Sequence, residues 1–432
     1  MTTSQPDTRY AGYALFVLMV AYALAFVDRQ VVNLLVEPIK HDLGLSDTGV
    51  SLLQGLSFAL FLSLGGLPIG RLIDTRRRVT ILGIGVALWS IATGCFGATR
   101  FYPIMLLSRI GVGVGEATMT PSAYSLLGDY FPPRRLGAAV ALYSMGAFIG
   151  TGLAMILGGA LLTILPREDV VLPALGALRT WQVIFLVLLP LGLLVALLVA
   201  NLREPARRTE GDDAVPGWVE VRGYFARHWR PILAIDLAVG FTNLAAYAFL
   251  AWAPALMTRA FGLAPSHIGS RLGWIVIAAC CAGTLIAGLA GDHLRHRGWR
   301  NGRLVVMGSA LAIAIPLGAL APLMAKADGF LTVAAGLLFF LAMALGSGPA
   351  TLQEITPNRM RGMQHSVAVL TANLLGLGLG PTAVALVTDT IFGRADALPW
   401  SIALVLPGAL FAALLNCWLA MDRSSRPIVQ RR

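Results

Sequence analysis

The sequence predicts an all-α membrane protein with twelve transmembrane helices in two six-helix pseudo-repeats. Three observations carry that expectation. Of 432 residues, 57% are hydrophobic and only 13% are charged, about half the charged share of ~25% found in soluble domains. Apolar windows of about 20 residues, the length that crosses a hydrocarbon core, recur twelve times. Two short motifs also appear once in each half of the chain, in the same order. Helices are the required geometry because a spanning segment must satisfy its own backbone polar groups in lipid.

The windows fall near residues 12–36, 48–71, 79–99, 102–127, 136–163 and 180–201, then 231–256, 268–290, 303–324, 329–352, 362–388 and 397–421. Span 1 is expected to be retained, because residues 1–10 lack a basic run and no small-residue cleavage site follows. Span 2 ends, and span 3 begins, around Gly70-x-x-x-Asp74 followed by Arg76, Arg77 and Arg78; the pattern returns after span 8 as Gly288-x-x-x-Asp292 with Arg295 and Arg297. Span 5 opens on Pro132-x-Arg134-x-x-Gly137, and span 11 opens on Pro357-x-Arg359-x-x-Gly362. The two offsets are 218 and 225 residues, as a duplication of six helices would leave them. The expected organisation is a first bundle over 1–201, a cytoplasmic linker over 202–230 and a second bundle over 231–432. In the linker, Trp218, Val221, Phe225 and Trp229 either line one face of a basic amphipathic helix at the interface or belong to a solvated connection.

A net charge of +11 would suggest nucleic acid in a soluble protein. Here the basic residues follow the connections between spans, so no nucleic-acid partner is expected and the partner is the bilayer. With the amino terminus inside, 23 Lys and Arg residues lie on the inner side, 8 on the outer side and 2 within the membrane. The positive-inside rule therefore places both termini in the cytoplasm. Cys95, Cys280, Cys281 and Cys417 fall in or beside spans without ligand spacing, so neither a metal nor a disulfide framework is expected. The loops carry no Asn-x-Ser/Thr sequon, consistent with the plasma membrane of a bacterium, the inner membrane.

The charges inside the spans carry the functional reading. Asp28 and Arg29 sit in the first apolar stretch, and Arg109 and Glu116 sit in the fourth. Ionisable groups at such depth cost roughly 2.5–3.5 kcal/mol each on insertion scales and mark substrate or ion pathways. Arg109 and Glu116 are seven residues apart, so they project from nearly one helix face about 10 Å apart. Asp28 and Arg29 diverge by about 100° around their helix, so contacts between spans 1 and 4 are expected in place of a pair between neighbours. A motion that makes or breaks an Arg contact would switch a carboxylate's proton affinity. The alternative is a static polar network that holds the helices together.

The segment Gly70-Arg71-Leu72-Ile73-Asp74-Thr75-Arg76-Arg77-Arg78 resembles the cytoplasmic signature of the major facilitator superfamily, with Arg77 where a second Gly is usual. The resemblance implies the major facilitator fold and a gating latch built on Gly70, Asp74, Arg78 and, in the second half, Asp292. Gly70 would permit close helix approach, and Asp74 would cap or pair at helix ends; Arg76 to Arg78 also serve to set topology. Phe26-Val27-Asp28-Arg29 and Arg109-Ile110-Gly111-Val112-Gly113-Val114-Gly115-Glu116-Ala117 are similar to the Spinster-like branch. That likeness implies proton-responsive carboxylates at Asp28 and Glu116, with Arg29 and Arg109 as partners, and an amphipathic lipid-like substrate.

The Gly111, Gly113 and Gly115 run lies inside a span without a strand-to-helix junction, so it is read as close helix packing and not as a nucleotide loop; Gly146 with Gly150 and Gly376 with Gly380 offer the same packing. Polar interruptions at Gln54, Ser57, Tyr143, Asn243, Tyr247 and Asn373 are substrate-contact candidates, with local bonding or packing as the competing role for each. Asp236 is expected near the interface, Glu354 near Arg359 or Arg361, and His365 is a possible titrating group.

The expected function is secondary active transport by alternating access, proton-coupled, of a small amphipathic molecule or organic anion. Drug or metabolite efflux on the same fold, or a transport-inactive sensor, are the alternatives. No cofactor, enzymatic activity or oligomer is expected, because no nucleophile, metal or acid/base cluster appears.

Overall fold

A computed structural model of the chain describes residues 8–166, 169–173, 176–207, 218–299, 301–357 and 360–424. Arg359, and the side chains of Asp74, Trp218, Val221 and Arg361, lie outside the described residues. Among the described residues, eleven helices are long and apolar enough to cross a membrane unaided. The remaining span is divided into Tyr102–Glu116 and Met119–Tyr130, joined by a turn at Ala117 and Thr118. Neither piece alone reaches the ~20 residues a bilayer requires, but together they match the expected fourth span.

Span 1 is Thr8–Leu34, and span 2 is built from Asp47–Ser51, a π-helical turn over Leu52–Leu56, and Ser57–Thr75. Spans 3, 5 and 6 are Arg78–Gly97, Pro133–Ile164 and Thr180–Ala200. Spans 8, 9, 10 and 12 are Pro265–His296, Gly302–Leu320, Ala327–Ile355 and Leu398–Ser424. Span 11 is interrupted twice: Arg361–Ala372 passes into a π-helical stretch, Asn373–Leu379, then Gly380–Leu386 and a second π-helical stretch, Val387–Phe392. The glycines and Pro381 explain the first interruption, since proline supplies no N–H to the ladder.

Two features depart from the sequence expectation. Span 7 belongs to one helix, Trp218–Phe261, which runs without interruption from the expected linker into the membrane. The amphipathic segment is therefore an extension of span 7 and not a separate element. Tyr224, near its start, is buried with Ile232 and Met360, and Phe225 packs against that cluster; the Tyr224 hydroxyl donates to the Ile355 carbonyl at 3.0 Å. Apolar contact and this bond explain why the helix continues through Pro231. Between spans 5 and 6, Val170–Leu172 and Gly176–Leu178 pair antiparallel, a short hairpin that the apolar pattern did not reveal.

The chain divides into two compact units: Met1–Thr209 with Leu263–Ile277, and Glu210–Gly262 with Ala278–Arg432. Small residues set the closeness of packing in the first. A Cβ at Gly113 would lie 2.7 Å from the Phe58 carbonyl oxygen, and one at Gly115 would lie 2.8 Å from that of Gly85. Span 4 therefore touches spans 2 and 3 backbone to backbone, as its glycine run predicts. Gly70 plays no such part, because a Cβ there meets nothing within 4 Å. The close-approach reading of Gly70 is corrected: this end of span 2 is open where span 4 is tight.

Candidate functional site

Arg29, on span 1, is 8% exposed, and Asp28, Arg109 and Glu116 are each 2% exposed. Charges this deeply buried need partners. Arg29 supplies one across the helices, with Nε and Nη2 both 2.5 Å from Oε2 of Glu116. The expected contact between spans 1 and 4 is therefore made by Arg29 and Glu116. Glu116 is the last residue of the helix Tyr102–Glu116, so the break in span 4 falls immediately after the buried carboxylate.

Arg109 uses a different partner. Its Nε donates to the Leu53 carbonyl at 2.8 Å and its Nη1 to the Asp28 backbone carbonyl at 3.5 Å. The π-helical turn over Leu52–Leu56 explains why the first acceptor is available. Ser57 N–H bonds Leu52 O, skipping the Leu53 carbonyl it would take in an α-helix. Gln54 and Ser57, both substrate-contact candidates, belong to this same deformation. Gln54 Nε2 donates to Asn33 Oδ1 at 3.0 Å, Asn33 Nδ2 donates to Gln30 Oε1 at 2.5 Å, and Ser57 Oγ donates to Leu52 O at 2.8 Å.

Aromatic rings complete the surroundings. The Arg29 guanidinium lies 4.6 Å from the Phe26 ring centre and 5.0 Å from that of Phe58, and the Arg109 guanidinium lies 5.2 Å from Phe58. Phe58 thus serves both cations, and such contacts are worth about 2 kcal/mol or more when desolvated. Trp89 on span 3 flanks the Asp28 carboxylate. Oδ1 of Asp28, Oε1 of Glu116 and Nη2 of Arg109 are buried without a hydrogen-bond partner among the described atoms. The site therefore holds two unused acceptors and one unused cationic donor, which is the equipment for receiving a proton or an anionic group.

The other candidates divide by unit. In the first, Tyr143 is fully buried and stacks on Tyr22 with ring centres 4.5 Å apart, and Tyr124 meets it edge-on at 5.7 Å. In the second, Asn243 and Tyr247 lie against Gly376, where a Cβ would come within 2.6 Å of Asn243 Cβ, one turn after Asn373 at the start of the π-helical stretch. Asn243 Nδ2 donates locally to Val239 O at 3.0 Å.

The motif residues between spans 2 and 3 act through Arg78. Although flanked by exposed Arg76 and Arg77, Arg78 is 1% exposed. It pairs with Asp129 at the end of span 4 and, through Nε at 2.7 Å, with Glu204 after span 6; it also donates to the Ser125 and Pro205 carbonyls at 3.3 and 2.9 Å. In the second unit Asp292 accepts from Arg303 at 3.0 Å. Glu354 pairs with Arg295 and with Arg303, whose Nε lies 3.1 Å away. The expected partners, Arg359 and the side chain of Arg361, lie outside the described residues; among those described, neighbours across the helix ends supply the cations of Glu354.

Sequence reasoning missed Asn33, Phe58, Trp89, Asp129 and Glu204. Asn33 and Gln30 carried a signal, as polar residues in the first apolar stretch within a turn of Arg29. The Leu53 carbonyl carried none.

Residues 18–381 match the description Major Facilitator Superfamily. The chain belongs to this superfamily. An MFS-type efflux pump of Mycolicibacterium smegmatis is 27% identical, over 98% of this chain and 95% of its own length. A probable L-galactonate transporter of Escherichia coli is 26% identical over 65% of this chain and 61% of that protein. The structure of a bacterial homolog to the human lysosomal transporter Spinster, inward-facing and unoccupied, is 26% identical and superposes with a TM-score of 0.80 over 97% of this chain and 96% of that one. This facilitator is thus a multi-pass membrane transporter that resembles the Spinster-like branch, both in the Asp28-Arg29 and Arg109-to-Glu116 segments and in its fold.

Proposed function

We propose that this facilitator is a proton-coupled secondary carrier in which Glu116 and Asp28 exchange protons while Arg29 and Arg109 alternate between them and an anionic substrate group. The observation that carries the reading is the buried Arg29–Glu116 pair, in which Oε2 is engaged and Oε1 is not. Protonation of Glu116 cancels one half of that pair. Arg29 is then a buried cation in need of an anion, and a substrate carboxylate or phosphate matches its fork. Proton binding and substrate binding thereby favour each other through one guanidinium. The break in span 4 beside Glu116 gives the helix a place to adjust as the pair opens and closes.

The aromatic neighbours of the arginines and the stacked Tyr22 and Tyr143 favour a substrate with an apolar body and a charged head. Gln54, Ser57, Asn243, Tyr247 and Asn373 are the remaining polar contacts proposed for it. Alternating access by the two six-helix halves, joined by a cytoplasmic linker, is the proposed route, with both termini cytoplasmic and the monomer as the working unit. Asp74, Arg78 and Asp292 are assigned to a cytoplasmic latch, in which Arg78 is the residue with buried ion pairs. A drug or metabolite efflux carrier is the second reading, supported by likeness to the mycobacterial efflux pump.

A thermal-shift screen of lysolipids, sphingoid bases, sugar acids and drugs selects a ligand, and its flux is then followed in proteoliposomes with an imposed pH gradient. Gradient-driven accumulation that is lost in Glu116→Gln, with folding retained, is the expected result. Flux independent of pH in both proteins removes the coupling role, and absent counterflow of every stabilising ligand favours a sensor.

A further inference from the structure

Asp236, in the second unit, is a buried charge that the coupling between Glu116 and Arg29 does not use. It is 2% exposed and lies inside the long helix Trp218–Phe261, well past the first turn, where helix-end N–H groups could stabilise an anion. Among the described residues its hydrogen-bond partner is the side chain of Gln364 on span 11. Gln364 Nε2 stands 3.2 Å from one carboxylate oxygen and 3.1 Å from the other. That partner is neutral, so among the described residues no cation balances the carboxylate.

The titratable groups around it are otherwise placed. On span 10, Glu354 is held by Arg295 and Arg303. On span 12, Cys417 donates to the Leu304 carbonyl, and the side chains of Asp422 and Arg423 lie outside the described residues, as does that of Arg361 on span 11. His365 of span 11 follows Gln364 in sequence and is half-buried. On its own helix, His228 is bonded to the Tyr224 carbonyl and Arg230 covers Trp229. Gln364 is the side chain that bonds Asp236.

The amide supplies the decisive detail, because Oε1 of Gln364 is buried without a donor. An ionised carboxylate has nothing to donate. A carboxylic acid does: a turn of the amide, whose Nε2 now stands astride both oxygens, matches the two groups, N–H to carbonyl oxygen one way and O–H to Oε1 the other. One proton thus satisfies two buried groups at once, and its loss would leave both an uncompensated anion and an orphaned acceptor.

We propose that Asp236 is a second proton-exchange site, resting as the neutral acid against Gln364 and releasing its proton to water when the bundle opens around it. Each unit of the carrier then holds a proton-binding carboxyl of its own. The proposal stands whether or not Glu116 carries the coupled proton.

Infrared spectroscopy of the full-length protein in nanodiscs tests it. In the Asp28→Asn, Glu116→Gln double variant at neutral pH, a protonated-carboxyl C=O band is expected to persist, and adding Asp236→Asn should remove it. Asparagine keeps one oxygen to accept from Gln364 Nε2 and brings an amide N–H that Gln364 Oε1 can accept, so that variant should fold. Acid uptake measured by pH-stat should fall by one proton per chain in Asp236→Asn alone, and Gln364→Leu should move the pH midpoint of the band. Identical spectra for double and triple variants, or unchanged proton uptake, would overturn the assignment while leaving the Glu116 reading intact.

Discussion

Arg29 on span 1 and Glu116 on span 4, separated by 87 residues in the chain, form an ion pair with N···O of 2.5 Å in which both partners are almost fully buried. Removing one member of such a pair strands the other, and that cost is about 3–5 kcal/mol, whereas removing both is often neutral. Arg29→Met should therefore lower unfolding stability in detergent by that amount. Adding Glu116→Gln should recover most of the loss. Additive losses in chemical denaturation would show that the two side chains do not depend on each other.

Arg109 holds two backbone carbonyls on different helices, those of Leu53 and Asp28. A lysine keeps the charge but cannot present the same planar fork. Arg109→Lys should lose about 1.5–3 kcal/mol, the worth of a hydrogen bond from a charged donor. Thermal unfolding equal to that of the parent would show that the bonds to the π-helical turn contribute nothing.

Arg78 gathers Asp129, Glu204 and two carbonyls around one buried guanidinium. Arg78→Ala should be the most damaging substitution among Arg76, Arg77 and Arg78, again about 3–5 kcal/mol, because it leaves two carboxylates facing each other. Arg76→Ala and Arg77→Ala, both exposed, should stay within about 0.5 kcal/mol. A melting series that ranks the three equally would refute this.

Gly113 stands where an added Cβ meets the Phe58 carbonyl at 2.7 Å. Gly113→Val should push span 4 off span 2 at a cost of about 1–3 kcal/mol. Gly70→Val, with nothing within 4 Å of its Cβ, should be tolerated in the fold. Comparable detergent stability for the two variants would contradict the packing derived for span 4.

Much of this was legible in residues. Asp28, Arg29, Arg109 and Glu116 announced a buried polar site because a charge in an apolar window is too costly to leave facing lipid and must turn toward a partner or a wet cavity. Their helical angles also excluded a pair between Asp28 and Arg29. The glycines of span 4 told that it would pack closely, but not against which helices. Glu354 shows the limit, since its pairs with Arg295 and Arg303 bridge 59 and 51 residues of sequence, and nothing local in the sequence pointed to either. Arg78 shows it again: its carboxylate partners lie 51 and 126 residues away, and no local pattern encodes such distances.

Taken alone, the order of residues determined that this chain crosses a bilayer about twelve times, that its halves are related, and that four ionisable groups of zero net charge lie within the membrane. These follow from hydropathy and helical period, which are local properties. Only the tertiary structure decided which carboxylate Arg29 takes, that the Leu53 carbonyl is open to Arg109, and that Asp236 is left with an amide for company. Those outcomes depend on where separate helices touch and where their ladders slip by one residue, and backbone contacts of that kind are set by packing across the bundle.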